Sequence, residues 1–339
     1  MRRALAALLG IALAGLSGAG CSPRVAAPGG NGSVEPAICG DTLRMPDGAR
    51  LPLNRWRPHG GEPEAVILAV HGFGDHGLAF DTPGAWFAAH DIAVYAYDQR
   101  GFGGAPDVGM WPGTDALVGD LATTVRLIRA RHSETPLYLL GTSMGGAVVL
   151  TAAARDALPP VAGTILAAPA VWARSTMPFY QRWALWLGAR VVPWLTVSGS
   201  ELDVRASDNT AELYALGVDP RVIGAPRVDV LHGLTNLMDA ALAAGDDTLT
   251  PLLALYGAHD EIVPARPMLK LWRKLPAAGV TRALYADGWH MLLRDRHAHR
   301  VWRDIAAWIE SGGSSALPSG AAEAGARALK RGALSAPDE

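Results

Sequence analysis

Through the middle of the chain, unbroken apolar runs alternate with stretches whose apolar positions recur at helical spacing. The runs are AVILAVHG (65–72), IAVYAYD (92–98), PLYLLG (136–141), GTILAAP (163–169), PLLALYG (251–257) and TRALYAD (281–287). Continuous Val, Ile and Leu bounded by turn residues predict strands of a parallel sheet covered on both faces. Between two of these runs, Leu117, Leu121, Val125 and Ile128 share one helix face, with Thr114 placed to cap it. Val301, Ile305, Trp308 and Ile309 do the same for a terminal helix. Ahead of the first run, residues 42–56 set a Pro-Asp-Gly turn between two extended stretches, a leading hairpin. The pattern predicts an α/β fold: a mostly parallel, doubly wound sheet with antiparallel strands at its start.

One stretch breaks the alternation. Residues 171–247 carry helical patterns and no strand, and FYQRWALWLGARVVPWL (179–195) is apolar almost all round. An insertion of that size between two strands predicts a helical cap over the carboxyl edge of the sheet, where such folds bind ligands. Residues 21–40 are rich in Pro, Gly and Ser and read as a tether, and residues 312–339 have so few large apolar side chains that a disordered tail is expected. The domain itself is expected over 41–311.

The N-terminus reads as targeting, with 1–20 a signal peptide. Met1-Arg2-Arg3 is basic, and Ala4–Leu16 is an apolar stretch too short to span a bilayer. LSGAGCSPR (16–24) resembles the lipobox of bacterial lipoproteins, which implies acylation at Cys21 and an exported, membrane-anchored protein of the cell envelope facing the periplasm. Gly18 stands where that pattern usually has Leu, so cleavage and release as a soluble periplasmic or secreted protein stays open. Cys39 is the only other cysteine, which excludes a disulfide framework; it could pair only with an unacylated Cys21. With 30 Lys plus Arg against 32 Asp plus Glu and no basic run, the footprint of a nucleic-acid binder is missing.

Gly-x-Ser-x-Gly is weak on its own in a chain with 39 glycines, but GTSMGG (141–146) directly follows one strand and opens a helix-compatible run. That is the strand, sharp turn, helix arrangement that raises a serine nucleophile, here Ser143, on a turn where Gly141 and Gly145 leave room for the backbone. The base and its orienting acid should follow in the order acid, then histidine. GAHDEIVP supplies Asp260 or Glu261 after one strand, and GWHMLLRD supplies His290 after the last; His297 and His299 lie further on and read as surface histidines. The oxyanion donors should be the amides of Met144 and of Phe73 in HGFGDHG (71–77). His71 and His76 could alternatively be loop histidines or a weak metal pair, yet no carboxylate or cysteine cluster completes a metal set, and no metal or cofactor is expected.

HGFGDHG, DQRGFG (98–103), GTSMGG, GAHDEIVP and GWHMLLRD, in this order, resemble the monoacylglycerol lipase and lysophospholipase group of α/β-hydrolases, whose members are also described as serine aminopeptidase-like. The resemblance implies Ser143 as nucleophile, Asp260 in preference to Glu261 as acid, His290 as base, and a mainly structural role for Asp98 and Arg100. It implies a serine hydrolase that cleaves carboxylic esters through an acyl-enzyme, while the cap differs freely between members, so the substrate does not transfer with the motifs. The Trp-rich cap (Trp172, Trp183, Trp186, Trp194) suggests an apolar acyl pocket and a face that sits at a lipid surface, which favours monoacylglycerol or lysophospholipid; alternatively these rings simply pack the cap. A peptidase would need cap carboxylates facing Ser143, for which Glu201, Asp203 and Asp208 are candidates; a short-chain esterase, or an inactive envelope lipoprotein that binds lipid or protein, also stays open.

Overall fold

The structure is a computed structural model that describes residues 23–27, 29–30, 33–198, 204–314 and 316–334. The expectations for the signal segment and for Cys21, Glu201 and Asp203 lie outside these residues. Among the described residues nine strands form one sheet: β1 (Ala37–Ile38), β2 (Thr42–Arg44), β3 (Arg50–Trp56), β4 (Ala65–Val70), β5 (Ile92–Tyr97), β6 (Leu137–Thr142), β7 (Gly163–Ala167), β8 (Leu252–Gly257) and β9 (Val280–Tyr285), in the order β1-β2-β3-β5-β4-β6-β7-β8-β9. The pairs from β1 to β3 and β3 with β5 are antiparallel, and all others are parallel. This is the doubly wound sheet with a leading hairpin that the apolar pattern predicts.

Every residue of β4, β5 and β8 is buried, because each strand feeds both faces. Val66, Leu68 and Val70 join the core on one face, against helices α2 (Thr114–Arg131), α3 (Met144–Ala154) and α7 (Ala265–Lys274). Ala65, Ile67 and Ala69 join the other, with α1 (Asp81–Ala88) and α8 (Ala298–Glu310). Thr114 is the first residue of α2 and not its cap: Gly113, at φ 89°, takes the cap position and no side chain caps the helix. Between β7 and β8 lie α4 (Phe179–Val191), α5 (Thr210–Val218) and α6 (Val228–Ala243), of which α6 packs on α3 and α4 packs on α6.

The expected disordered tail is corrected by a ninth helix among the described residues, α9 (Ala321–Arg331), docked on β9, the last strand of the sheet. Composition missed it because the docking uses small residues. A side chain at Gly325 would collide with the Arg282 carbonyl oxygen, so helix and strand backbones lie in direct contact. Ala321 reaches one core and Ala328 and Leu334 the other, so α9 covers an edge that would otherwise be open to pairing. Ser319 N–H donates to Asp304 Oδ1 at 3.0 Å and anchors the turn before the helix.

Candidate active site

Four loops at the carboxyl ends of neighbouring parallel strands build the site. The first is the turn from β6 into α3. Ser143 sits there at φ 48° and ψ −116°, a left-handed conformation that costs a non-glycine residue on the order of 1–3 kcal/mol. The surroundings over-determine it: Ser143 N–H donates to Ala167 O at 3.0 Å, and its carbonyl accepts from Ala147 and from Ala170. A Cβ at Gly141 would stand 2.6 Å from Gly146 Cα, and one at Gly145 would overlap the Val70 carbonyl. Although Ser143 occupies the helix cap, its hydroxyl does not cap α3, so the group remains available for chemistry.

The second loop, 258–264 after β8, holds Asp260 with no side-chain exposure. Its Oδ1 accepts the N–H groups of Ile262 at 2.9 Å and Val263 at 2.8 Å, which leaves Oδ2 for His290 Nδ1 at 2.8 Å. A carboxylate only accepts, so His290 donates through Nδ1 and its Nε2 is the basic nitrogen. The third loop, after β9, carries His290 and is locked to the second by backbone contact. A Cβ at Gly257 would overlap the Gly288 carbonyl, and His259 N–H donates to Gly288 O at 2.9 Å. Of the two acids left open by the residues, the structure brings Asp260 to His290, while Glu261 accepts the N–H of Arg205. His297 and His299 are exposed at the start of α8.

The fourth loop, 71–77, follows β4. A Cβ at Gly72 would lie 3.3 Å from Ser143 Cβ, so the missing side chain lets this loop touch the serine turn. Among the described residues neither Phe73 nor Met144 donates its N–H to a protein acceptor, and both residues line the serine turn or its cavity. Met144 opens α3, so the positive end of the helix dipole points at Ser143. The loop is fixed from beneath by 98–104, a support the sequence motif did not rank as functional. Gln99 N–H donates to His71 Nε2 at 2.9 Å, its side-chain amide donates to His71 O at 2.8 Å, and His71 Nδ1 donates to Gly72 O at 2.8 Å. Burial holds the His71 pKa below its ordinary value, consistent with the neutral ring these partners require. Asp98 Oδ1 accepts Gly77 N–H and its Oδ2 accepts Gly104 N–H, both at 2.7 Å, while Phe102 stands edge-on to Phe73 at 5.5 Å.

His76 completes the account of the histidine pair. Its Nδ1 accepts Leu78 N–H at 3.3 Å and its Nε2 donates to Asp219 Oδ2 at 3.1 Å, so protein partners occupy both nitrogens of both rings and none faces a metal. Arg100 forms a two-pronged pair with Asp120 and reaches Asp47, and its guanidinium helps hold the Asp47 carboxyl at about 2. These pairs are fixtures of the fold.

Ser143 and His290 both line one cavity of about 940 Å³, near the upper end of the range of small-molecule sites. Its far wall comes from the segment between β7 and β8, with Trp172, Met177, Leu185, Val228, Leu234 and Met238. Of the four tryptophans expected to line a pocket or face lipid, Trp172 alone lines the cavity; Trp183, Trp186 and Trp194 are 63%, 49% and 57% exposed. Asp208 accepts Arg296 N–H at 2.8 Å and does not line the cavity. A hydroxyl on a strained turn, an imidazole oriented by a buried carboxylate, and two unspent amides beside the hydroxyl are the parts needed for acyl transfer.

Comparison with known proteins adds three findings. The family model described as "Serine aminopeptidase, S33" matches residues 61–297. The chain is similar to the monoglyceride lipase of Rattus norvegicus, 28% identical over 272 residues that cover 78% of this chain and 88% of the rat protein. It is also similar to the monoacylglycerol lipase of Mycolicibacterium smegmatis, 27% identical over 78% of this chain and 94% of the relative. Among solved structures, a soluble variant of the Saccharomyces cerevisiae monoglyceride lipase, in complex with a substrate analog, superposes with a TM-score of 0.67 at 19% identity, covering 88% of this chain and all of that one. That likeness establishes the shared α/β-hydrolase fold.

Proposed function

The chain belongs to the serine aminopeptidase S33 family and is a carboxylic ester hydrolase; from that premise we propose that it cleaves monoacylglycerol or lysophospholipid through an acyl-enzyme on Ser143. The observation that carries the proposal is the opening of Ser143 and the Asp260-oriented His290 onto one largely apolar cavity. Ser143 Oγ attacks the ester carbonyl as His290 Nε2 takes its proton. The Phe73 and Met144 amides receive the developing oxyanion, an interaction worth on the order of 3 kcal/mol per donor. Imidazolium then protonates the leaving alcohol, and a water activated by the same nitrogen releases the fatty acid.

The lining favours an acyl chain over a free peptide amino terminus. Asp75 is the one carboxylate among the described lining residues, and Arg294 is paired with it, so no unneutralised anion awaits an ammonium group. Hydrolysis of esters of graded chain length beside aminoacyl amides, with Ser143→Ala as control, tests this. Ser143→Ala should lose on the order of 10⁶-fold in kcat and all labelling by a fluorophosphonate probe. A preference for aminoacyl amides would overturn the lipid-ester assignment.

Export and anchoring at Cys21 belong to the same proposal. Two observations support a membrane-facing cap: α4 holds Phe179 and Trp183 at 78% and 63% exposure, and Ala26 N–H donates to Trp111 O at 2.8 Å, where the Trp111 ring packs against Gly233 of α6. The tether therefore joins the domain beside the cap. Cys21→Ser should move the protein from the membrane to the soluble fraction of fractionated cells; unchanged partition would remove the anchor from the account.

A further inference from the structure

A short strap of the cap, residues 205–209, is hydrogen-bonded to the loop that carries His290, and its bonds bracket the histidine. On one side, Met291 N–H donates to Ala206 O at 3.0 Å. On the other, Trp289 N–H donates to Asp295 Oδ2 at 2.8 Å, while Asp295 Oδ1 accepts the Ser207 hydroxyl at 2.6 Å. The residues before and after His290 are thus both tied to adjacent residues of the cap, one directly and one through a single carboxylate. Ser207 is fully buried and Asp295 nearly so. Further bonds brace the same seam: Asn209 Nδ2 donates to Arg294 O at 3.0 Å, and Arg296 N–H donates to Asp208 Oδ1 at 2.8 Å.

We propose that Asp295 is a positioning residue for His290, the link by which the seating of the cap strap sets the aim of the catalytic base. The proposal rests on the acyl-enzyme reading of Ser143 and His290. A carboxylate suits the position because each of its two oxygens accepts one donor, a backbone amide from its own loop and a hydroxyl from the cap. Burial pushes the Asp295 carboxyl above its ordinary range, and the Ser207 and Trp289 hydrogen bonds pull it back. Asp208 of the strap pushes it further up, and His290 of its own loop pulls it down. Without the strap, Met291 N–H loses its acceptor and Asp295 keeps Trp289 but loses its tie to Ser207.

The test is the rate of fluorophosphonate labelling at Ser143 across probe concentration, with thermal unfolding recorded for each variant. Asp295→Asn presents an N–H₂ to one of two donors; labelling should slow by roughly 10- to 100-fold, the scale of a misplaced catalytic group. Asp295 does not line the cavity, so the loss should fall on the maximal labelling rate and leave the half-saturating probe concentration in place. Ser207→Ala cuts only the cap half, so the maximal rate should fall several-fold. Native labelling by Asp295→Asn, or slowing carried by the half-saturating probe concentration alone, overturns the proposal. If Asp295→Asn does not fold, native labelling by Ser207→Ala overturns it. A native chain that never labels at Ser143 overturns the hydrolase mechanism itself, a separate result.

Discussion

The serine turn and the outer face of α4 are built on opposite terms. At Gly141, Gly145 and Gly146 neighbouring atoms leave no room for a Cβ, and Met144, Gly145 and Gly146 are buried. In α4 only Ala189 is buried; Phe179, Tyr180, Trp183 and Trp186 stand in solvent, while Leu185 and Gly188 turn inward to the cavity. One region is held by main-chain geometry that admits few side chains, and the other displays side chains on a helix that its packing scarcely constrains. Under the proposed function, reaction chemistry depends on the first and ligand choice on the second.

The contrast can be broken from the rigid side first. Asp260→Asn leaves the two amide contacts to one oxygen but spoils the orientation of His290, and kcat should fall on the order of 10⁴-fold with little change in KM or melting temperature. A small fall measured by steady-state kinetics would mean that another group orients the base. Gly145→Ala should be severe in a different way: its Cβ meets the Val70 carbonyl, so a loss of more than about 4 kcal/mol in denaturant unfolding is expected, with labelling at Ser143 abolished. The opposite side should bend easily. Trp183→Ser with Trp186→Ser should stay within about 0.5 kcal/mol of the native stability for each change, yet reduce binding in vesicle sedimentation. A large loss of stability there would show that these rings pack the cap.

The two regions also differ in how far they could be read from the chain. Six apolar runs became the parallel core of the sheet, because a strand buried on both faces has no polar phase to confuse the pattern. Ser143, Asp260 and His290 were legible because each sits one turn beyond such a strand, so finding the strands nearly located the loops. Local turn chemistry was less legible. Gly113 displaced Thr114 from the cap of α2, and α9 was missed because glycine and alanine contacts carry almost no hydrophobic signal. Gly257 and Gly288 were passed over for a related reason: their use is the close approach of two loops, which no local window contains.

What the sequence determined by itself is the succession of strands along the chain and which residue types stand at their carboxyl ends, since both follow from residue type over a few neighbouring positions. The tertiary structure alone decided that three of the cap tryptophans point outward and that Asp295 ties the histidine loop to Ser207, 88 residues away in the chain. Those outcomes depend on packing between segments distant in sequence. A tryptophan lowers the free energy in a pocket wall or on an exposed lipid-facing helix alike, and only the assembled neighbours select between them.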